Sequence, residues 1–448
     1  ALAGQTVSVL AGNGATTAPT VTTQPDDTVE ISVTSQTAGS SAVTVSINSS
    51  SQSRDVTFIA DVRTAQIADL VVIKDDSVAD GAMANMLRAR VTDVFGNALA
   101  GQTVSVLAGN GATTAPTVTT QPDGTVEISV TSQTAGVSAV TATINSSTQS
   151  QNVTFIADVR TAKIADLVVI KDGSEADGST ANTLRARVTD AFGNALGGQT
   201  VSVMADNGAT TAPTVITEPD GTVEISVTSR TAGISTVTAT INSSSQSQNV
   251  TFIADIRTAQ IASLEVTQDN SVADGTMANT LRVKITDAFG NTLGGQTVSV
   301  LADNGATTAP TVTTQPDDTV EISVTSQTAG TSAVTASINS STASRNVTFV
   351  ADVRTAKIAD LVVIKDGSVA DGAMANTLRV KITDAFGNTL AGQTVSVLAD
   401  NGATVAPVVT TQPDGTVEIS VTSQTAGVSA VTATINSSTQ SQNVTFIA

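Results

Sequence analysis

One seven-residue segment is written four times in this chain, at a spacing that never drifts. VTDVFGN at 91–97, VTDAFGN at 188–194, and ITDAFGN at 285–291 and 382–388 set Phe95, Phe192, Phe289 and Phe386 97 residues apart each time. A second series, GQTVSV, starts at Gly4, Gly101, Gly198, Gly295 and Gly392 and keeps the same period. That period exceeds the roughly 20–50 residues of a solenoid repeat. It suits a complete domain, which typically spans about 50–250 residues. Each copy is therefore expected to fold around its own core.

The 448 residues hold four periods of 97 with 60 residues over, and Ala1 aligns with Ala98. The expected organisation is a partial unit at 1–63 that lacks its first two strands, then units at 64–160, 161–257, 258–354 and 355–448. In the partial unit Val29, Ile31 and Val33 are expected to be incompletely covered. The sequence reads as a segment of a longer protein. It opens with no charged and apolar export signal and contains no run of about 18 apolar residues, so any such signal is expected outside it.

Composition removes much of chemistry. Cysteine, histidine, tryptophan and tyrosine are all absent, which excludes zinc sites built on Cys or His, thiol nucleophiles and Ser-His-Asp triads. A missing cysteine fits a reducing compartment or an exported chain that avoids thiols. Twenty basic against thirty-nine acidic residues give a net charge of −19, which repels phosphate backbones and anionic headgroups. Neither nucleic-acid binding nor membrane contact is expected of this segment.

Within 161–257, apolar residues alternate with polar ones. Val223, Ile225 and Val227 point one way while Glu224, Ser226 and Thr228 point the other, the two-residue beat of a half-buried strand. Seven strands are predicted near 164–171, 183–189, 199–205, 212–217, 222–228, 234–241 and 248–254. Turn signals separate them at Asp177-Gly178, Gly193-Asn194, Asn207-Gly208, Pro219-Asp220-Gly221 and Ala232-Gly233. Seven short strands in a unit of this size predict an all-β fold: tandem immunoglobulin-like β-sandwiches in an elongated array. With no disulfide, the core must be aliphatic with two Phe per unit. Asp190 is expected to hydrogen-bond turn amides, Gly193 and Asn194 to accept positive φ, and Phe192 to pack beneath the turn as a plug.

At these residues the unit resembles the bacterial immunoglobulin-like domains, group one, of the invasin and intimin family of inverse autotransporter adhesins. Asp177-Gly178, Asp190-Ala-Phe-Gly193-Asn194, Gly198-Gln-Thr-Val201, Pro219-Asp220-Gly221, Ser229-Arg-Thr-Ala232-Gly233 and Val237-Thr238-Ala239 occupy the family's signature slots in order. Ala98, Ala195, Thr292 and Thr389 stand where the family often has Pro. Asp27 and Asp318 replace the turn glycine, which weakens that turn in two copies. The resemblance implies an amino-terminal β-barrel in the outer membrane, a projecting row of such domains at the bacterial cell surface and a binding tip at the far end. This segment would then be a stalk or spacer. The alternative is that the repeats themselves bind a host-cell receptor or self-associate between cells, through sheet edges or a variable turn at 146–151.

Calcium would need carboxylates near junctions. Asp158, Asp255 and Asp352 lie there, with Asp177, Asp274 and Asp371 nearby in sequence, yet Asp166 and Asp360 become Ser263 and no Asp-x-Asp-x-Asp loop occurs. Isopeptide locking would use Lys74, Lys171 and Lys365, but Gln268 breaks the series. Phe58 and Phe95 with their repeats are the only aromatics and occupy core-like positions, which disfavours sugar stacking. Asn145-Ser-Ser and Asn249-Val-Thr read as turn and strand. No catalytic, cofactor-binding or metal-ligating residue is assigned, no cofactor is expected, and the chain is not expected to be an enzyme. The junction FIADVRTAKIADL at 155–167 has no Gly or Pro, so one strand is expected to hand over almost directly to the next. Units roughly 40 Å long would then reach on the order of 180 Å.

Overall fold

The computed structural model describes residues 2–448, and Ala1 lies outside the described residues. The repeat 161–257 serves as the reference. Its strands are β1 Lys163–Lys171, β2 Ser174–Glu175, β3 Asn182–Thr189, β4 Thr200–Ala205, β5 Thr210–Thr211, β6 Thr214–Ile216, β7 Thr222–Thr228, β8 Gly233–Ile241 and β9 Ser244–Ile253. They form two sheets, β1-β3-β7-β5 and β2-β9-β8-β4-β6. Every pairing is antiparallel except the short β2–β9 contact, where Ser174 lies beside Phe252. The same two sheets recur in the copies before and after it.

The expected strands are present, with two corrections. The last begins at Ser244 rather than near 248, because Asn242 takes φ +51° and turns the chain within two residues. The stretch 146–151, expected as a variable turn, is accordingly mostly strand: its Ser147–Ile156 pairs with Gly136–Ile144 along nine residues. Also, one expected strand near 212–217 is two short pieces, β5 and β6, which belong to different sheets. Pro213 lies between them and cannot donate to a ladder.

Alternation sorts the side chains. Leu184, Ala186 and Val188 of β3 and Ile225 and Val227 of β7 meet Val201, Val203, Val237, Ala239, Val250 and Phe252 of the other sheet in one closed core. Phe155, Phe252, Phe349 and Phe446 are buried as expected. Each of the other three complete copies has a matching core of its own. An amide is buried with it: Asn182 is fully buried, and its Oδ1 accepts from Ser174 N–H at 2.9 Å while Nδ2 donates to the Thr251 carbonyl at 2.9 Å. A buried amide with both ends satisfied ties β3 to the opposite sheet and fixes their register.

Residues 2–63 lack counterparts of β1, β2 and β3, one strand more than the two expected, because the two-residue β2 is a separate strand. Val126, Ile128 and Val130 are buried between strands in the next copy, whereas their counterparts Val29, Ile31 and Val33 are only half-buried. Just Val33–Thr34 keeps strand pairing there, with Thr16–Thr17. A strand that loses its ladder partner has no backbone bonds to hold its apolar side chains inward.

The glycine-to-aspartate exchange at the β6–β7 turn is the other local departure. Gly221 has φ +78°, and a Cβ there would meet the Val188 carbonyl oxygen at 2.6 Å. Asp318 holds the same place with φ +66°, and its backbone bond to Ile285 N–H is 3.1 Å against 2.8 Å at Gly221. Its Oδ2 is buried without a hydrogen bond; Lys284 Nζ reaches only to 3.5 Å, within ion-pair range. Left-handed backbone costs a non-glycine residue about 1–2 kcal/mol. Asp318→Gly should therefore stabilise its unit, slowing amide exchange at Ile322 and Val324 by roughly tenfold; unchanged or faster exchange would show that Asp318 contributes more than it strains.

The inter-repeat junction as candidate functional site

A cluster of buried polar groups, Ser132, Asp158, Thr189 and Asp190, lies between repeats. Strand Ser147–Ile156 ends, and a single turn of 3-10 helix, Val159–Thr161, carries the chain into β1 of the next copy. Asp158 caps that turn: its Oδ1 accepts from Arg160 N–H at 3.1 Å and from Arg160 Nε at 2.9 Å. Thr161 Oγ1 donates to the Asp158 carbonyl and accepts from Ala191 N–H, both at 3.1 Å. The direct strand-to-strand handover expected from sequence is thus replaced by a capped turn, which changes direction without glycine because Asp supplies the missing acceptor.

Asp190, in the TDAFGN turn, is the hub. Its side chain is fully buried; Oδ1 accepts from Phe192 N–H and Asn194 N–H, each at 2.9 Å, and Oδ2 accepts from Asn194 Nδ2 at 2.8 Å. Asp158 N–H, from the preceding repeat, donates to Oδ2 at 3.2 Å. Asn194 then spans the junction. Its Oδ1 accepts from Ala135 N–H at 2.8 Å and its Nδ2 donates to the Gln133 carbonyl at 2.9 Å, both in the preceding repeat.

The receiving turn is preformed. Ser132 Oγ accepts from Thr134 N–H at 2.9 Å and donates to the Thr134 carbonyl at 2.8 Å, which leaves the Ala135 N–H pointing outward. The arrangement is repeated at every junction. Asn97 holds Ala38 and Gln36, Asn291 holds Ala232 and Arg230, and Asn388 holds Ala329 and Gln327. Asp93, Asp287 and Asp384 likewise accept from Asp61, Asp255 and Asp352 N–H.

Three expectations are corrected here. Phe192 is not a buried plug: it is 47% exposed, and Phe95, Phe289 and Phe386 are similar. Phe95 shares a cleft with Gln36, Ala38 and Ile59 of the preceding repeat, and Arg230 stacks over the Phe289 ring at 5.3 Å, a cation–π contact. Each ring lies at a junction with about half of its surface open to solvent. Asn194 does not take positive φ; Gly193 does, at +91°, which frees the Asn194 side chain to reach across. The Asp-x-x-Gly-Asn and Ser-x-x-Ala-Gly motifs, read from sequence as separate turns, face each other across each junction.

The other candidate residues fall elsewhere. Asp158 is near Asp80 of its own unit through Arg160, as Asp255 is near Asp177 and Asp352 near Asp274, so the pairs adjacent in sequence are not the pairs adjacent in space. Backbone N–H and hydroxyl of Thr180, then Ser179 N–H, hold the Asp177 carboxyl well below the usual carboxylate range. Among the described residues no group of three or more acidic side chains is disposed to hold a metal ion. Lys74 and Lys171 are exposed and donate to the Ala84 and Ala181 carbonyls, and Gln268 Nε2 makes the same bond to Ala278. That shared carbonyl contact explains why Gln can replace Lys.

Tandem all-β sandwiches, docked end to end by a turn of one repeat on a turn of the last, define an immunoglobulin-like repeat array. The bacterial Ig-like domain (group 1) profile matches residues 67–156, 164–253, 261–350 and 358–447, and the chain belongs to that family. It is 32% identical over 431 residues to the inverse autotransporter adhesin YeeJ of Escherichia coli (strain K12), a match covering 91% of this chain and 18% of that protein. The crystal structure of invasin, described as a bacterial integrin-binding protein, aligns at 24% identity and TM-score 0.39 over 84% of this chain and 79% of invasin. Yersinia pseudotuberculosis InvD aligns at 18% identity and TM-score 0.42 over 64% of this chain and 98% of InvD. The array is an adhesin-related extracellular repeat region of the bacterial surface.

Acid should loosen the junction. At Asp93, burial pushes the carboxyl up but is outweighed by the Asn97 side chain, the Asn97, Asp61 and Phe95 N–H groups, so its net shift is downward; Arg160 draws Asp158 down in the same way. A carboxyl depressed on folding contributes stability that is present above its unfolded pKa, about 3.9, and lost as pH falls through the folded value. Solution scattering should find the same maximum dimension from neutral pH down to about 5, with bending only below about 4; bending that sets in near neutrality would exclude these carboxylates as its cause.

Proposed function

We propose that this region is a stalk: a row of sandwiches that holds a terminal binding domain away from the outer membrane. In this reading residues 64–160, 161–257, 258–354 and 355–448 each act as one domain, and 1–63 is part of another. The observation that carries it is the recurrence of the same Asn and Asp bonds at all four junctions. An interface that repeats unchanged transmits one fixed geometry from unit to unit, and length then depends on copy number alone. Kinship with an inverse autotransporter adhesin supports a host-cell receptor as partner of the whole protein, engaged by a tip rather than by these repeats. No enzymatic role, cofactor, nucleic acid or membrane contact is proposed for the segment.

Stiffness is the property to test. Replacing Asn97, Asn194, Asn291 and Asn388 together by Ala removes the two bonds that cross each junction and one more to the neighbouring Asp carboxylate, each worth about 1 kcal/mol net, and leaves every core intact. Scattering and electron micrographs should then show a shorter, kinked particle with an unchanged melting temperature; a particle as extended as the parent would refute the lock. Beads coated with this chain should not adhere to host cells, and adhesion by the bare repeats would favour direct receptor binding instead.

A further inference from the structure

The two outer faces of each sandwich differ in kind. On the four-stranded sheet, β3 and β7 carry cross-strand charge pairs, Arg185 opposite Glu224, with Arg88–Glu127, Arg282–Glu321 and Arg379–Glu418 in the other copies. On the five-stranded sheet, the outward positions of β6, β4, β8 and β9 bear no charge in any of the four complete copies. In 64–160 the centre of this face is Thr103, Ser105, Leu107, Thr141, Thr143 and Ser150. Arg345, on the strand equivalent to β9, has the opposite alternation and lies across from buried Val334.

A large apolar side chain stands in the middle of this face in every copy. Leu107, Met204, Leu301 and Leu398 are 73%, 74%, 72% and 71% exposed, and so is Leu10. Val137, Ile234 and Val428 lie on the same surface and are more than half exposed. Around the flat hydroxyl-lined centre runs an acidic rim. Asp206, Asp303 and Asp400 sit past the end of β4, each held by a backbone N–H of β8 or its equivalent, and Asp172 is held by Thr251 N–H.

We propose that this uncharged face is a lateral contact surface for a second copy of the array. Two observations select that occupant. A partner that uses the face more than once must repeat at the same step, and a second copy does so by construction. The area also fits. Four strands about 4.8 Å apart and some seven residues long expose roughly 400 Å² per unit. That is below the ~800 Å² per partner of a stable interface, which several units in line exceed. Single units therefore stay apart, whereas aligned arrays gain from multivalency. In a chain of net charge −19, this is the face on which a like-charged partner meets least repulsion, the rim carboxylates being the main opposition. This goes beyond the stalk reading and does not depend on it.

The test is the mass of the full chain in solution, by sedimentation from micromolar to millimolar concentration at low and high salt. Mass should climb toward twice the monomer, and more so at high salt as rim repulsion is screened. Leu107→Glu, Met204→Glu, Leu301→Glu and Leu398→Glu combined should hold it at the monomer under all conditions, with an unchanged circular dichroism spectrum because these side chains are exposed. Ser129→Glu, Ser226→Glu, Ser323→Glu and Ser420→Glu, which place the same charge on the opposite face, should still associate. A parent that stays monomeric throughout, or a control set that dissociates as fully as the first, would overturn the proposal.

Discussion

A buried carboxylate surrounded by N–H donors organises this molecule. Asp190 and its counterparts accept hydrogen bonds from their own turn and from the last residues of the preceding repeat. Leaving any of those donors buried and unpaired would cost more than the bond itself returns, so the turn and the inter-repeat angle are specified together. The Asn that follows uses both ends of its amide on the neighbouring turn, and a bidentate contact resists rotation where a single bond would allow it. The contact between units is thus made by polar geometry, with the Phe ring covering it from the side.

Inside each unit the division of labour is different. Alternating Val, Ile, Leu and Ala close the core, and Phe252 and its equivalents fill its end. Asn182 supplies the directional element that apolar packing lacks, since side chains of similar volume slide past each other at little cost whereas an amide must meet its donor and acceptor. Core and junction are thus separate: one holds a sandwich together, the other sets how sandwiches stand in line. This separation is what a stalk requires, because units can be added without disturbing their interiors.

The outer faces show a third constraint. Charge pairs on one sheet and short hydroxyl side chains on the other give the sandwich two chemically distinct sides. Neither distinction affects the core, which sees only the inward positions. Surface chemistry in such an array is set apart from the fold, which the inward positions alone determine.

The amino-acid sequence by itself determined the period, the sheet class, nearly every strand and the turn glycines, because alternation and positive φ are local properties of neighbouring residues. It also placed the buried Phe252 series and the uncovered Val29, Ile31 and Val33 in the partial copy. Only the tertiary structure decided what Asn194 and Phe192 do. The partners of Asn194, Ala135 and Gln133, are 59 and 61 residues away in another unit, and no pattern along the chain distinguishes a turn that merely closes on itself from one that grips its neighbour. The same reason separates Asp158 from Asp177 and joins it to Asp80: proximity across a sandwich is set by the order of strands in a sheet, which periodicity does not encode.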